Sequence, residues 1–434
     1  MAKINVRDRN KNNPDKKPNW EYRFEAAKVE GKRKHISKSG FRTKKDALEA
    51  GTKALAEYNS SGLHFEPTEI SVSDYLDYWF DQYCKTNLKY NTQLGYLSII
   101  ENHLKPRLGS YKLKALNSSI LQDYANDLKL NGYSKSHVVG ILSTLSGALD
   151  YAIKPLCYIQ QNPMRLVKFP KIDREPKQRI ILTMEEWETI IGKFQPPSRY
   201  YIPLMIGFHT GLRISEAFAL TWDDIDLEKN ELSVNKQVVK RNFGVEVRRT
   251  MKVKGKKEQR SSWYFQSTKT KSSVRTVKFG ETLAEALKAE KARQAKNELM
   301  YGAFYNIHVL KTEIDEKGNK MQRIMPLQKC IETTYPRARL VCIAENGEYT
   351  STDSFKYAAR IIHHDLKLAF DYHSLRHTHA TLLIEHGANI KNVQKRLGHE
   401  KIETTLQTYV HDTEKMTEQS VDIFESILKS VSNK

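Results

Sequence analysis

Residues 373–381 read His373-Ser-Leu-Arg376-His-Thr-His-Ala-Thr381. Three positions apart, His373 and Arg376 share one helix face. A histidine there can exchange a proton near neutral pH, and an arginine offers a permanent, bidentate charge to an anion. Outward from this stretch, Leu397-Gly-His399 ends a second helical pattern, and Tyr409 follows ten residues later. Upstream stands Thr210-Gly-Leu-Arg213-Ile-Ser-Glu216, where Gly211 breaks one helix before another begins. Each residue is ordinary alone. An arginine after a glycine is usually structural, a histidine at a helix end usually caps or packs, and a tyrosine is usually half-buried. A phenol, with a pKa of about 10, is a poor nucleophile until cations stabilise the phenolate or a base takes its proton. Two arginines, two histidines and one hydroxyl in this order are the equipment for attack on a phosphodiester.

Further histidines crowd the region: His363, His364, His377 and His379. His373 and His377 have the i, i+4 spacing of a zinc pair. The glutamate of an H-E-x-x-H helix is missing, however, and Arg376 between them would repel a cation. No metal is expected. Lys269 lies in Ser267-Thr-Lys-Thr-Lys-Ser-Ser-Val-Arg275-Thr-Val277. The alternation predicts a β-hairpin with Lys271-Ser-Ser273 at its turn, from which a lysine reaches a groove and protonates a leaving oxygen. Lys271, two residues on, points the same way, and a solvated turn lysine is the plain alternative.

Over 434 residues the chain carries 71 Lys/Arg against 51 Asp/Glu, a net charge of +20. That excess predicts a polyanionic partner, DNA or RNA, because neutralising phosphates releases counterions. The length predicts two to four domains. Cys84, Cys157, Cys330 and Cys342 are scattered without a C-x-x-C pair, which excludes a zinc ribbon and suits a reducing cytosol. The N-terminus lacks an apolar signal region, and no run reaches the roughly 20 apolar residues of a membrane span. A cytoplasmic protein with no membrane partner is expected.

Residues 1–59 hold 16 Lys/Arg and eight Asp/Glu. Trp20, Tyr22 and Phe24 alternate with Glu21, Arg23 and Glu25, the period of a strand. A turn at 28–32, a returning strand over 35–41 and a helix over 43–58, with Thr43 and Asp46 as a capping-box variant, complete a small sheet-plus-helix unit. Basic residues on its strands, Arg23, Lys32, Arg33 and Lys34, would face a DNA groove. Residues 68–166 are helical in pattern. Val72, Tyr75, Leu76, Trp79, Phe80 and Tyr83 form one apolar stripe, and further helices are expected near 91–104, 118–131 and 134–154. Lys89, Lys105, Arg107, Lys112, Lys114 and Lys135 on the loops and exposed faces suit phosphate contacts. Residues 167–179, with two prolines and Lys171 and Arg174, read as a basic linker able to lie along DNA. A second large domain opens at the capping box Thr183-Met-Glu-Glu186. Helices near 199–210 and 214–220 follow, then strands at 231–240, 262–268 and 274–279. Residues 248–260 read as a basic hairpin tip, 296–335 carry no clear assignment beyond the turn Asp315-Glu-Lys-Gly-Asn319, and the chain is helical from about 353.

These motifs together resemble the tyrosine recombinase, or phage integrase, family, with a likeness to integrases of Gram-positive phages and conjugative transposons. The match runs through Thr-Gly-Leu-Arg213, Thr-Lys269-Thr-Lys-Ser-Ser-x-Arg275, His373-x-Leu-Arg376-His-Thr-His-Ala-Thr, Leu-Gly-His399 and Thr-x-x-Thr-Tyr409. It implies a multidomain α+β protein. Residues 1–62 would be an arm-type DNA-binding domain, 68–166 a helical core-binding domain and 167–179 the linker. Residues 180–434 would form a mainly α catalytic domain with a small antiparallel sheet and a C-terminal tail helix. It implies a site-specific recombinase that integrates and excises a mobile element, with Arg213, Lys269, His373, Arg376, His399 and the nucleophile Tyr409 as catalytic residues. Lys271 and Arg275 are expected at the DNA. Cofactors are not implied, because the residues supply the cations. The implied partners are double-stranded DNA at core and arm sites, further copies of the chain in a tetrameric synaptic complex, and an excision factor, at the nucleoid of a bacterial cell. The tail stripe Val421, Phe424, Ile427, Leu428 and Val431 would dock on a neighbouring protomer or pack on its own domain. Two alternatives stand beside this reading: a DNA-binding protein without catalysis, since 389–409 imitates a helix-turn-helix, and a topoisomerase with the same nucleophile.

Overall fold

The computed structural model describes residues 4–10, 17–29, 32–61, 70–172, 179–242, 261–268, 271–315 and 318–403, with Leu406; side chains at 26–29, 32–34, 57–61, 242 and 271 fall outside that description. The chain divides into two compact units, Met1–Asp173 and Arg174–Lys434.

In the first unit, β1 (Asn5–Asp8), β2 (Trp20–Val29) and β3 (Lys32–Phe41) form an antiparallel sheet in that order, with Val6 opposite Tyr22 and Phe24 opposite Ile36. Tyr22 and Phe24 point inward, as alternation predicts, onto α1 (Lys44–Ser61). Gly51 allows the close approach: a Cβ there would come within 2.9 Å of Tyr22 Cβ. Thr43 Oγ1 accepts from the Asp46 amide at 3.1 Å, which caps α1. Glu21 departs from the alternation. It is buried, and Arg7 bonds its carboxylate at 2.9 Å and holds its pKa below the usual carboxylate value.

Four longer helical segments follow: α2 (Val72–Trp79), α3 (Tyr90–Ile99), α4 (Ser118–Leu130) and α5 (Lys135–Ile153). Wider π turns, Phe80–Cys84 and Ile100–Leu104, prolong α2 and α3. Ser71, Asn117 and Ser134 cap α2, α4 and α5 through their side-chain oxygens. The expected stripe buries Val72, Tyr75, Leu76, Trp79 and Phe80, while Tyr83 is half-buried and stacks on Trp79. Of the expected phosphate contacts here, Lys105 has only 18 % of its side chain exposed, whereas Arg107 keeps 64 %. Lys105 pairs with Asp77 at 2.7 Å and Glu101 at 2.6 Å, and Arg107 pairs with Asp127.

The second unit opens with α6 (Met184–Lys193), whose capping box is formed as expected: Glu186 N–H donates to Thr183 Oγ1 at 3.1 Å, and Thr183 N–H to Glu186 Oε2 at 2.9 Å. Next come α7 (Tyr201–Thr210), apolar nearly all round and so central to the core, and the short α8 (Ile214–Ala217). The expected strand 231–240 is two strands, β5 (Glu231–Val234) and β6 (Lys236–Asn242), divided at Asn235. With β4 (Ile225–Asp226), β5 joins β8 (Arg275–Lys278) in one sheet. With β7 (Ser261–Ser267), β6 joins β10 (Lys320–Gln328) and β9 (Asn306–Ile314) in another. The expected hairpin around Lys271 is therefore absent. Strands β7 and β8 lie in different sheets because β8 pairs with β5, Val234 opposite Arg275, and a 3-10 turn over Lys271–Ser273 carries the chain between them. The hairpin β6–β7 is present, and its tip lies outside the described residues.

The stretch 296–335 resolves into the end of α9 (Glu281–Tyr301) and the hairpin β9–β10. At its turn the Asn319 amide donates to Asp315 Oδ1 at 2.9 Å. Last come α10 (Thr352–His364), α11 (Tyr372–Glu385) and α12 (Ile390–Leu397). Helices α7 and α11 pack closely at Gly207, where a Cβ would meet Leu375 Cδ1 at 2.7 Å and Tyr372 Cζ at 2.9 Å. Among the described residues no helix is long and apolar enough to cross a membrane.

Candidate active site

The end of α7 makes the first wall of the site. Gly211 caps it in the left-handed region, φ +65°, which glycine adopts without strain. A Cβ there would also come within 2.9 Å of His379 Cδ2. The turn sets Arg213 at the N-cap of α8, where Glu216 takes the Arg213 amide at 3.1 Å and its Nη1 at 2.7 Å.

Glu216 is 3 % exposed. Its Oε2 also accepts from Arg275 Nη2 at 3.0 Å. Burial alone would raise this carboxyl, but the charges and hydrogen bonds of Arg275 and Arg213 outweigh it and hold the pKa below the usual carboxylate value. Arg275, expected at the DNA, is buried instead. Besides Glu216 it bonds the carbonyls of Arg396 at 2.6 Å and Ser273 at 3.0 Å, so it supports Arg213 from beneath.

The second wall is α11. Arg376 is 1 % exposed and spans three chain segments. Its Nη1 donates to the Gly211 carbonyl at 2.8 Å, its Nη2 to the Leu397 carbonyl at 2.8 Å, and Nη2 also meets His399 Nε2 at 2.8 Å. An arginine has only donors, so that histidine nitrogen accepts. The third wall is the loop after α12. Gly398 holds φ +68°, and its carbonyl receives Arg213 Nη2 at 3.4 Å. Arg213, with 31 % of its side chain exposed, is the more open of the two arginines. His373, one turn before Arg376, lies at the surface; surrounding protein and the Arg376 charge hold its pKa below the ordinary histidine value. Burial and the charges of Arg376, Arg213 and Arg275 push His399 down to about 3.

Arg213, His373, Arg376 and His399 are thus brought together, two guanidiniums beside two histidines held neutral. A phosphodiester supplies the negative charge that such a cluster lacks. Lys269 and Tyr409, expected here, lie outside the described residues. Among the described residues no group of three or more His, Cys, Asp or Glu could hold a metal ion. Away from this site, Arg23 is exposed on the sheet face opposite Tyr22 and Phe24. Lys32, Arg33 and Lys34 lie on β3, and Lys171 is exposed. Lys271 begins the 3-10 turn, and Arg174 lies outside the described residues. Sequence reasoning assigned no role to Glu216. Its signal was an acidic residue three positions after Arg213, inside an apolar helix start of a strongly basic chain.

A model of the phage integrase family matches residues 180–416. One of a phage integrase N-terminal SAM-like domain matches residues 71–129, and one of an arm DNA-binding domain matches residues 9–58. Among curated proteins, the chain is 25 % identical over 387 residues to a tyrosine recombinase XerC-like protein of Caldanaerobacter subterraneus subsp. tengcongensis, covering 88 % of this chain and 89 % of that one. It is 25 % identical over 362 residues to the integrase of Staphylococcus phage L54a, covering 79 % and 88 %. Among solved structures, the Tn1549 transposon integrase in complex with transposon right end DNA superposes with a TM-score of 0.58 at 25 % identity, covering 81 % of this chain and 98 % of that one.

Proposed function

The chain belongs to the phage integrase family of tyrosine recombinases, and from that premise we propose that Tyr409 is its nucleophile and that Arg213, Arg376 and His399 hold the scissile phosphate. The enzyme is a site-specific DNA recombinase of mobile elements, and the family works through a phosphotyrosine intermediate. The observation that carries the residue assignment is Arg376. Its guanidinium joins Gly211, 165 residues away, to the Leu397–His399 loop, and so gathers three motifs at one point.

In this reading the Tyr409 oxygen attacks phosphorus. The bond to the 5′ oxygen breaks, leaving a 3′-phosphotyrosine and a free 5′ hydroxyl. His373, held neutral, takes the phenol proton. Lys269, or Lys271 on the same segment, gives a proton to the departing 5′ oxygen. Arg213 and Arg376 stabilise charge on the non-bridging oxygens, and His399 donates to one of them. Attack by a partner strand's 5′ hydroxyl reverses the step, so the phosphodiester energy is kept and no nucleotide is consumed.

The arm reading places DNA on the sheet face that bears Arg23, with Lys32, Arg33 and Lys34 on its edge strand. The core reading places a second DNA segment against 68–166, with Lys171 and Arg174 along the duplex. Residues 180–434 would carry the chemistry, four copies would form the synaptic complex, and an excision factor would set direction at the bacterial nucleoid. The test uses nicked duplexes taken from the DNA flanking its gene, followed by a denaturing gel. The wild-type chain forms a covalent adduct; Tyr409→Phe binds the same DNA and forms none. An undiminished adduct with that variant sinks the assignment. Joining of paired substrates then separates recombination from relaxation.

A further inference from the structure

We propose that Arg396 and its uncharged partner His379 form a clamp that positions the Leu397–His399 loop for cleavage, and are positioning residues of the reaction. The proposal rests on the reading of Arg213, Arg376 and His399 as the phosphate site. Arg396 ends α12, and its guanidinium turns back into the protein. Nε meets His379 Nε2 at 2.9 Å, Nη1 donates to the Lys278 carbonyl at 2.8 Å, and Nη2 donates to the His209 carbonyl at 3.0 Å. The Arg396 carbonyl in turn accepts from Arg275 Nε at 2.6 Å. One residue therefore ties together the end of α7, the end of β8, α11 and the Glu216–Arg275 pair.

The chemistry of His379 follows from its two contacts. Nδ1 lies 2.8 Å from the Phe208 carbonyl, which can only accept, so Nδ1 carries the hydrogen. Nε2 is then bare and accepts from Arg396. A second proton would set N–H against N–H beside a guanidinium. Burial and the Arg396 charge accordingly push the His379 pKa down to about 3.

The three residues after Arg396 are those the site uses. The Leu397 carbonyl holds Arg376, the Gly398 carbonyl holds Arg213, and the His399 ring meets Arg376. Arg376 also depends on the Gly211 carbonyl, just beyond the helix end that Arg396 grips at His209. The clamp thus sets the spacing between the two carbonyls that orient Arg376. A neutral partner matters here, because a carboxylate at position 379 would cancel a positive charge next to the site, whereas histidine leaves it in place.

The experiment measures the rate of covalent adduct formation and the DNA affinity of the full chain, on a nicked duplex from the gene's flanks that the wild type cleaves. His379→Phe and Arg396→Met are expected to slow the adduct by about 10- to 100-fold, the scale of a misplacement of about 1 Å. Affinity should stay within about two-fold of wild type. His379→Gln, which keeps a neutral acceptor, is expected to recover most of the rate. A wild-type rate in His379→Phe overturns the clamp, and so does a rate loss matched by an equal loss of affinity or left unrelieved by His379→Gln. Should His379→Phe fail to fold, Arg396→Lys keeps the charge without the three-way fork, and a wild-type rate there overturns it. Arg213→Ala and Tyr409→Phe separate the two levels: if they too cleave normally, the site reading fails, whereas if they alone lose activity only the clamp fails.

Discussion

Glu216 carries the electrostatics of the site. It is a buried carboxylate that two guanidiniums share, Arg213 from above and Arg275 from below. Removing one partner of such a buried cluster leaves uncompensated charge. Glu216→Gln is expected to lower unfolding free energy by about 3–5 kcal/mol, measured by urea denaturation. A loss under about 1 kcal/mol would show that Arg275 has other adequate compensation. The histidines set the acid response. His379 and His399 sit at about 3, and His377 and His308 at about 4, mainly through burial. These folded values lie below the unfolded value of about 6.5, so the unfolded chain binds protons first as the pH falls. Stability is expected to decline from about pH 6.5 downward with a slope of several protons. Unfolding curves that coincide between about pH 7 and pH 5 would contradict this. Glu216 acts lower, its contribution being present above the unfolded value of 4.5 and lost as the pH falls through its depressed folded value. Arg213, His373, Arg376 and His399 were legible because residue type and helical spacing are local properties. Glu216 and Arg275 were not, because one carboxylate and one arginine in a chain of +20 look like surface charge until their partner is in place.

Helices α7 and α11 meet at Gly207, and their separation decides whether Arg376 reaches the Gly211 carbonyl. An added methyl would press on Leu375 and Tyr372. Gly207→Ala is expected to cost about 1–3 kcal/mol of stability by overpacking, read as a lowered midpoint in thermal or urea unfolding. An unchanged midpoint would mean that α11 shifts freely, contrary to the close fit. The amphipathic stripe of α2, the capping box of α6 and the Asp315 turn were readable because each is written within one or two turns of chain. The strands were read in place but not in partnership. Residues 261–278 look like one hairpin in isolation, yet β7 joins β6 and β10 while β8 joins β5. Period-two alternation says which residues alternate, not which strand lies alongside. The hairpin β9–β10 escaped assignment because its strands are only half-buried, with charged residues among the apolar ones.

Across the whole chain, +20 makes DNA association an electrolyte effect. Removing one phosphate-bound cation should lower the slope of log affinity against log salt by about 0.9. Replacing Arg23, Lys32, Arg33 and Lys34 together by Ala is expected to flatten the slope on arm-type DNA by up to about four times that amount, measured by titration at several salt concentrations. An unchanged slope would remove these residues from the DNA. By itself, the sequence determined that the chain is a multidomain, basic α+β protein, and it determined the order of the candidate site residues, since composition, periodicity and motif order need no third dimension. Only the tertiary structure decided what surrounds those residues: the carboxylate under Arg213, the carbonyls that bond Arg376, and the histidine that bonds Arg396. The physical reason is distance along the chain. The Arg275–Glu216 bond closes 59 residues and the Arg396–His209 bond 187, and pairings so remote leave no local pattern to read.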